Sequence, residues 1–301
     1  MRESIIRAPE GTRDRLFDEC VLRREREAGL FELFQNRGFR EVSTPVLEHY
    51  ELFTRTGSPL SEETMVKVLS RSGRICVLRP DNTAPIARLA ATRLQNEPLP
   101  LKLWYAQPVY RARDGGCFEV PQAGAEVIGG GDDAELLLLA RETAAFFYGQ
   151  TPHIEISHAG VLQTLLERME LDGGQTEHVL SLIERKNFAA LGDELPGGAQ
   201  GLLSLVSLSG GAETLDEAAG CAGVPIDKPL GELRGLLSAL PDGAVTVDFG
   251  LVPSLSYYTG VFFRGYVGGA AGAVLTGGRY DRLLGLLGRD LPAVGFAVQW
   301  E

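Results

Sequence analysis

Between about Gly160 and Leu240 the chain is rich in Leu, Ala and Glu, and glycine pairs break it at Gly173-Gly174, Gly197-Gly198 and Gly210-Gly211. That composition predicts a run of short helices, and it divides two regions of strand character. Before it, Ile75–Leu78, Lys102–Tyr110 and Phe118–Val127 carry the aromatic and β-branched residues of strands. After it, Val245–Phe249 alternates, Tyr257–Phe263 is β-rich, and Val294–Trp300 closes as another strand. Period-two and period-3.6 patterns demand different backbones. The order helix, strands, helical insertion, strands therefore predicts an α+β fold, an antiparallel sheet flanked by helices and split by the insertion. The expected division is a core of residues 1–159 and 241–301, with 160–240 inserted. The pattern holds no alternating βαβ units. Gly129-Gly130-Gly131 and Gly277-Gly278 satisfy neither G-x-G-x-x-G nor the Walker A pattern, so a doubly wound nucleotide fold is not expected.

Charge narrows the function. A net charge of −11 argues against a general nucleic-acid surface, which needs clustered Lys and Arg. Cys20, Cys76, Cys117 and Cys221 stand far apart with no C-x-x-C pair, which points to reduced thiols, a cytoplasmic setting and no zinc site. His49, His153, His158 and His178 show no ligand spacing, so no metal is expected. Met1–Glu10 has no apolar run of a signal peptide, and no stretch approaches the roughly 20 apolar residues of a membrane span.

Local signals place the remaining elements. Ala8–Asp14 is turn-rich, and Asp14 or Asp18 is expected to cap a helix running to about Asn36, with Val21, Ala28, Phe31 and Phe34 in helical rhythm and Gly38 just past its end. Phe39–Leu47 is expected to be a strand, with Pro45 at an edge or an end. Gly57-Ser58-Pro59 breaks the chain, and Thr83–Asn96 reads as a helix. The loop Gly129-Gly130-Gly131-Asp132-Asp133 ends in a good N-cap for a buried helix Ala134–Tyr148. Arg185-Lys186-Asn187 reads as solvated helix surface, and a helix is expected to follow Gly277–Asp281 as far as Leu287.

Two segments are polar where strand patterning would be apolar. One is Leu78-Arg79-Pro80-Asp81-Asn82-Thr83-Ala84-Pro85; the other runs from Val109-Tyr110-Arg111 to Glu126. Asp114-Gly115-Gly116 marks a turn, so the second segment folds as a hairpin. Gln122, Gly124 and Glu126 fall at spacing two and share one strand face. An amide, a gap and a carboxylate suit an ammonium-bearing ligand, and Arg111 across the hairpin suits a carboxylate or phosphate. The solvated outer face of an antiparallel sheet gives the same pattern, and spacing does not choose between them.

Taken together, these segments resemble the catalytic core of histidyl-tRNA synthetase, a class II aminoacyl-tRNA synthetase. Gly11-Thr12-Arg13-Asp14 resembles the family's opening motif. Arg37-Gly38-Phe39 through Thr44-Pro45 resembles motif 1, the family's dimer interface. Leu78–Ala84 resembles the amino-acid-binding turn, and Tyr110-Arg111 through Glu126 resembles motif 2. Tyr257-Tyr258-Thr259-Gly260 and Gly277-Gly278-Arg279-Tyr280-Asp281 resemble the histidine-specific segments. The resemblance implies that Asp81, Thr83, Gln122, Glu126, Tyr258 and Tyr280 line a histidine pocket, and that Arg111 matches the arginine that holds the α-phosphate of ATP.

The departures from that family point elsewhere. Its histidine segment reads Leu-Val-Arg-Gly-Leu-Asp-Tyr-Tyr; here it is Leu251-Val252-Pro253-Ser254-Leu255-Ser256-Tyr257-Tyr258. Proline has neither charge nor side-chain donor, so Pro253 cannot stabilise the charge that develops during adenylate formation. Ser256 replaces the aspartate, the chain stops at Glu301 before the arginine of motif 3, and no anticodon-binding domain follows. With these losses the sequence resembles the regulatory subunits of ATP phosphoribosyltransferase, which are paralogues of the synthetase. That resemblance implies a non-catalytic subunit without cofactor, metal, tRNA or membrane. Its implied partners are a short-form catalytic subunit within a hetero-octamer, its own second copy, and histidine as feedback effector in the first step of histidine biosynthesis. The alternatives are a truncated synthetase core that still activates histidine with ATP, and a stand-alone amino-acid-binding paralogue.

Overall fold

A computed structural model describes residues 6–56, 60–113, 116–194, 200–252 and 257–300. Its centre is a nine-stranded sheet. From one edge to the other it runs Arg40–Glu41, Leu101–Ala106, Gln122–Ile128, Ala293–Gln299, Leu275–Arg279, Val261–Tyr266, His153–His158, Thr246–Asp248 and Ser209–Gly210. The pairings are antiparallel except Arg40–Glu41 with Leu101–Ala106 and Thr246–Asp248 with His153–His158, which are parallel. Strands from before and after the helical stretch thus alternate within one sheet, and Gln122–Ile128 pairs over its whole length with the C-terminal strand Ala293–Gln299.

The hairpin spans the residues its pattern predicts, but it changes ladder midway. Leu101–Ala106 pairs with Gln122–Ile128 in the central sheet, while Val109–Arg113 pairs with Gly116–Val120 as a separate ribbon. Pro108 and Pro121 stand opposite one another at the break. A proline cannot donate to a ladder, so both arms lose a rung there and the ribbon is free to turn away.

Phe39–Leu47 is not one strand. Arg40–Glu41 joins the central sheet, and Leu47–His49 joins a small sheet with Ile75–Leu78 and Lys67–Leu69. The residues between them are held by a side chain instead of a ladder. Arg79, 1% exposed, donates to the carbonyls of Thr44 (2.7 Å), Pro45 (2.8 Å) and Pro108 (2.7 Å).

The first helix, Asp18–Gln35, begins after Phe17, and neither Asp14 nor Asp18 provides its cap. Leu30 and Phe34 are buried, and Phe34 stacks on Trp104 at 5.1 Å, but Val21, Leu22 and Phe31 stay exposed. Gly38 follows with φ +76°, as a helix-terminating glycine does. The third helix is Thr83–Ala91, five residues shorter than its pattern predicts. Its end is held from outside, because Arg289 donates to the carbonyls of Ala90 (2.8 Å) and Leu94 (3.3 Å). Asp132 caps Asp133–Tyr148 through the amides of Ala134 (2.8 Å) and Glu135 (3.1 Å), and Gly149 ends it in the left-handed region.

The described residues of 159–239 are largely helical, as composition predicts, but they also contribute the edge strand Ser209–Gly210. Their Leu and Val side chains join the same apolar cluster as Leu30, Trp104, Val127 and Phe296. Arg185-Lys186-Asn187 is exposed, as expected, just past the helix Gly173–Glu184. Lys186, with φ +52°, reaches the buried carboxylate of Asp248 at 2.9 Å. Buried His158 accepts from the amide of Gly160 at Nδ1 (3.0 Å), so its Nε2 donates to Glu232 (2.8 Å). Burial pushes the pKa of this imidazole down. No α-helix follows Asp281; a turn leads to the single 3-10 turn Gly285–Leu287. Among the described residues no helix is long and apolar enough to cross a membrane, and no group of three or more His, Cys, Asp or Glu could hold a metal ion.

Candidate functional site

All seven residues of Gln122–Ile128 are buried. Ala123, Ala125 and Val127 face the main core. The opposite face, Gln122, Gly124 and Glu126, is therefore not a solvated outer surface. It is covered by the turn and helix at 81–91 and by the tyrosines of the C-terminal half.

A cleft opens over this face. Asp81, Thr83, Arg111, Gln122, Tyr258 and Tyr280 all line it, although they come from four separate regions of the chain. Its floor includes Gly277, Gly295 and Ala297 on the two neighbouring strands. Glu126 is not part of the lining but stands one hydrogen bond behind it. Its Oε1 accepts from Thr83 Oγ1 (2.8 Å), and its Oε2 accepts from the Tyr280 hydroxyl.

Second-layer contacts hold the polar wall in place. Asn82 Nδ2 donates to Gln122 Oε1 (2.8 Å), and Gln107 Nε2 donates to Asn82 Oδ1 (2.7 Å) and Thr44 Oγ1 (2.9 Å). Asp81 accepts from the amide of Ala84 (3.0 Å), which fixes its carboxylate at the first turn of Thr83–Ala91. Arg279 is not in the cleft. It donates to Asp133 (2.5 Å) and Asp281 (3.3 Å) and so anchors the strand that delivers Tyr280.

Burial dominates the electrostatics. It pushes the Glu126 carboxyl up to about 8, against the opposing hydrogen bonds of Tyr280 and Thr83. It raises Asp81 as well, while the amide of Ala84 and the charge of Arg111 pull that carboxyl back down. Arg111 is lowered by burial and supported by Asp81. The hydroxyls of Tyr105, Tyr257, Tyr258 and Tyr280 are all raised by burial and by the nearby carboxylates, so they remain protonated donors. Two polar atoms here are buried without a partner, the Tyr105 hydroxyl and Arg111 Nε.

Two glycines make this packing possible. A Cβ on Gly124 would lie 2.1 Å from the carbonyl of Phe296 and 2.5 Å from the Tyr105 hydroxyl. One on Gly295 would lie 1.5 Å from Glu126 Oε2.

Some contributors escaped the sequence reading. Tyr257 lines the cleft and stacks on Tyr280 at 5.4 Å; its place beside Tyr258 was the available signal. Leu60, Thr276 and Phe296 also line it, and nothing in their local pattern sets them apart. A second cavity lies between the first helix and the hairpin, over Leu22, Pro108 and Trp300. Its charges are largely matched in pairs, Arg13 with Glu19, Arg15 with Glu119 and Arg23 with Glu27, so it has less polar capacity to offer a ligand.

The model of the histidyl-tRNA synthetase family matches residues 11–301. Among the chain's relatives are regulatory subunits of ATP phosphoribosyltransferase. The one from Clostridium kluyveri is 37% identical, covering 96% of this chain and 79% of its own; that from Clostridium acetobutylicum is 35% identical, covering 96% and 76%. The chain belongs to this regulatory-subunit family. A crystal structure described as an ATP phosphoribosyltransferase regulatory subunit/histidyl-tRNA synthetase, from Bacillus halodurans, superposes on the regulatory-subunit fold seen here with a TM-score of 0.88. It is 31% identical and covers 98% of this chain and 81% of its own. Histidyl-tRNA synthetase from Nostoc, at 20% identity and TM-score 0.80, shares the fold. The class II synthetase architecture expected from the motifs is thus the observed one. Within the regulatory-subunit segment 251–258, Pro253, Ser254 and Ser256 lie outside the described residues, as do Gly57-Ser58-Pro59, Asp114-Gly115, Gly197-Gly198 and Glu301.

Proposed function

We propose that this chain is a non-catalytic subunit that activates the short-form catalytic subunit of ATP phosphoribosyltransferase in the cytoplasm and conveys histidine feedback to it. One pairing of observations carries the reading. The cleft keeps the groups that would recognise an amino acid, Asp81, Thr83, Gln122, Tyr258 and Tyr280, with Glu126 behind them and Arg111 as an anion partner. The position that would supply the catalytic arginine of a synthetase is Pro253. A site that binds without reacting is what a sensor requires. Feedback then follows if histidine binds one state of the complex better than another.

The exposed apolar residues Val21, Leu22 and Phe31 on the first helix support self-association, as a dimer within a hetero-octamer. Residues 160–240 act in this reading as an insertion on a core of 1–159 and 241–301, and tRNA has no part. The test is phosphoribosyl transfer from phosphoribosyl pyrophosphate to ATP by the matching short subunit, with and without this chain, followed by a histidine titration. Faster turnover that histidine suppresses is the expected result. No effect together with separate elution of the two proteins would sink the proposal. Retention of Arg111 in the cleft favours one rival, a surviving histidine-activating core, and histidine-dependent pyrophosphate exchange into ATP would reveal it.

A further inference from the structure

Glu126 sits in an unusual position for a carboxylate beside a binding cleft. It is 1% exposed, and its Oε2 lies flat against Gly295, where a Cβ would have no room. Its two hydrogen-bond partners are neutral hydroxyls, those of Thr83 and Tyr280. Among the described residues no salt bridge compensates it, whereas buried Glu48 has Arg88 at 2.5 Å and buried Asp248 has Lys186 at 2.9 Å.

The groups facing it from the packed elements are these. The turn before Thr83–Ala91 brings Asp81, a like charge. Leu101–Ala106 brings Tyr105, whose buried hydroxyl has no partner. The C-terminal half brings Tyr257, Tyr258 and Tyr280, all neutral donors. The cations Arg79 and Arg111 act on Asp81, not on Glu126. A buried carboxyl with neutral partners, a like charge nearby and no ion-paired cation among the described residues is a group that keeps its proton. The cleft wall one hydrogen bond away is where a cationic ligand would come to rest.

We infer that Glu126 is a proton store for the cleft: a neutral acid while the cleft is empty at neutral pH, ionising when an ammonium- or imidazolium-bearing ligand enters. The inference rests on the amino-acid reading of the site and adds a regulatory property to it. The incoming charge replaces the missing counter-ion, and the proton leaves to solvent. The balance is one proton released for one cation bound. Burial that holds this carboxyl near 8 sets the window: a cation gains affinity with rising pH, by up to about tenfold per pH unit, and the gain ends near pH 8. Acidification of the cell would then weaken effector binding, with no other ligand involved.

The test uses the full chain. Infrared difference spectra at pH 7 read the carbonyl stretch of a protonated carboxyl in the wild type and in Glu126→Gln. The same samples are then titrated with L-histidine and, separately, with ethylamine, a bare ammonium probe. Calorimetry in two buffers of different ionisation heat counts the protons. The expected result is a band in the wild type that is missing from Glu126→Gln and is erased by either cation. Close to one more proton should be released per ligand by the wild type than by the variant. Absence of the band in the ligand-free wild type overturns the inference, and so does a band that persists under saturation with both cations. A band that responds to ethylamine, with no heat from histidine, retains the proton store and rejects the histidine reading. Circular dichroism of Glu126→Gln checks that its missing band reflects a missing carboxyl in a folded protein.

Discussion

In the helical stretch from Ala159 to Ala239 the buried side chains are Leu, Val, Ile and Ala, and Thr214 is the buried polar exception among the described residues. Around Gln122–Ile128, by contrast, Thr44, Glu48, Arg79, Asn82, Gln107, Gln122 and Glu126 are all buried. The helical side stabilises itself by removing apolar area from water, which is non-directional and tolerant of small shifts. The cleft side is held by directional bonds, in which each buried donor needs a particular acceptor. The two regions share one sheet and one apolar cluster, so the contrast marks where structure serves packing and where it serves a ligand.

The strongest way to break the comparison is at Arg79. Its replacement by Met leaves the buried carbonyl of Thr44 and the part-buried carbonyls of Pro45 and Pro108 without their donor, at about 1–3 kcal/mol for each group that stays unsatisfied. Urea denaturation should show a loss of about 3 kcal/mol or more. Loss below about 1 kcal/mol would mean that water or the backbone compensates, and that the cleft side is less directional than described. Next is Leu233→Ala in the helical region, at a fully buried position, where the expected loss is about 2–5 kcal/mol. Here histidine affinity should stay within about twofold of wild type; a larger change would couple the two regions more tightly than packing requires.

Gly124→Ala sets a side chain against backbone, and about 1–3 kcal/mol of overpacking cost is expected, together with loss of binding in the cleft. Calorimetric titration checks the second half of that statement. Glu126→Gln should affect the pH profile more than the stability at any single pH. Because folding raises this carboxyl from 4.5 to about 8, the native state holds the proton that the unfolded chain has released between those values. Stability from this group therefore falls as pH rises through that window, at up to about 1.4 kcal/mol per pH unit, and it levels off above it. The variant should lack that slope. Smallest of all is Arg23→Ala, which removes an exposed i,i+4 pair and should change stability by less than about 0.5 kcal/mol.

The same contrast explains what was legible beforehand. Helical periodicity is local, so the helices near Asp18–Gln35 and Asp133–Tyr148 could be read from sequence, whereas the helix expected after Asp281 is absent. Spacing two placed Gln122, Gly124 and Glu126 on one face correctly, yet it could not tell a wet face from a covered one, because the cover comes from residues 81–83 and 257–280. Thr83–Ala91 ends early for a similar reason: Arg289, almost two hundred positions away, takes the carbonyl of Ala90 in its last turn and that of Leu94 just beyond it. The single-strand expectation for Phe39–Leu47 failed because Arg79 offered those carbonyls a better partner than a neighbouring strand. The motifs supplied what local pattern could not, since they brought residues 81, 122, 258 and 280 together before any distance was known. They contained Tyr257 without assigning it to the site, and they gave no sign of Phe296 or the unpartnered hydroxyl of Tyr105.

The floor of the cleft has a consequence for how such a site can change over generations. Gly277 and Gly295 leave backbone where side chains would otherwise stand, and an added Cβ would strike Phe263 at 2.4 Å in one case and Glu126 in the other. Drift by single substitutions is closed off on that side. Any descendant that acquires a taste for a different small molecule has to do so through the walls, at positions such as Thr83, Tyr257 and Tyr258, while the floor is inherited unchanged.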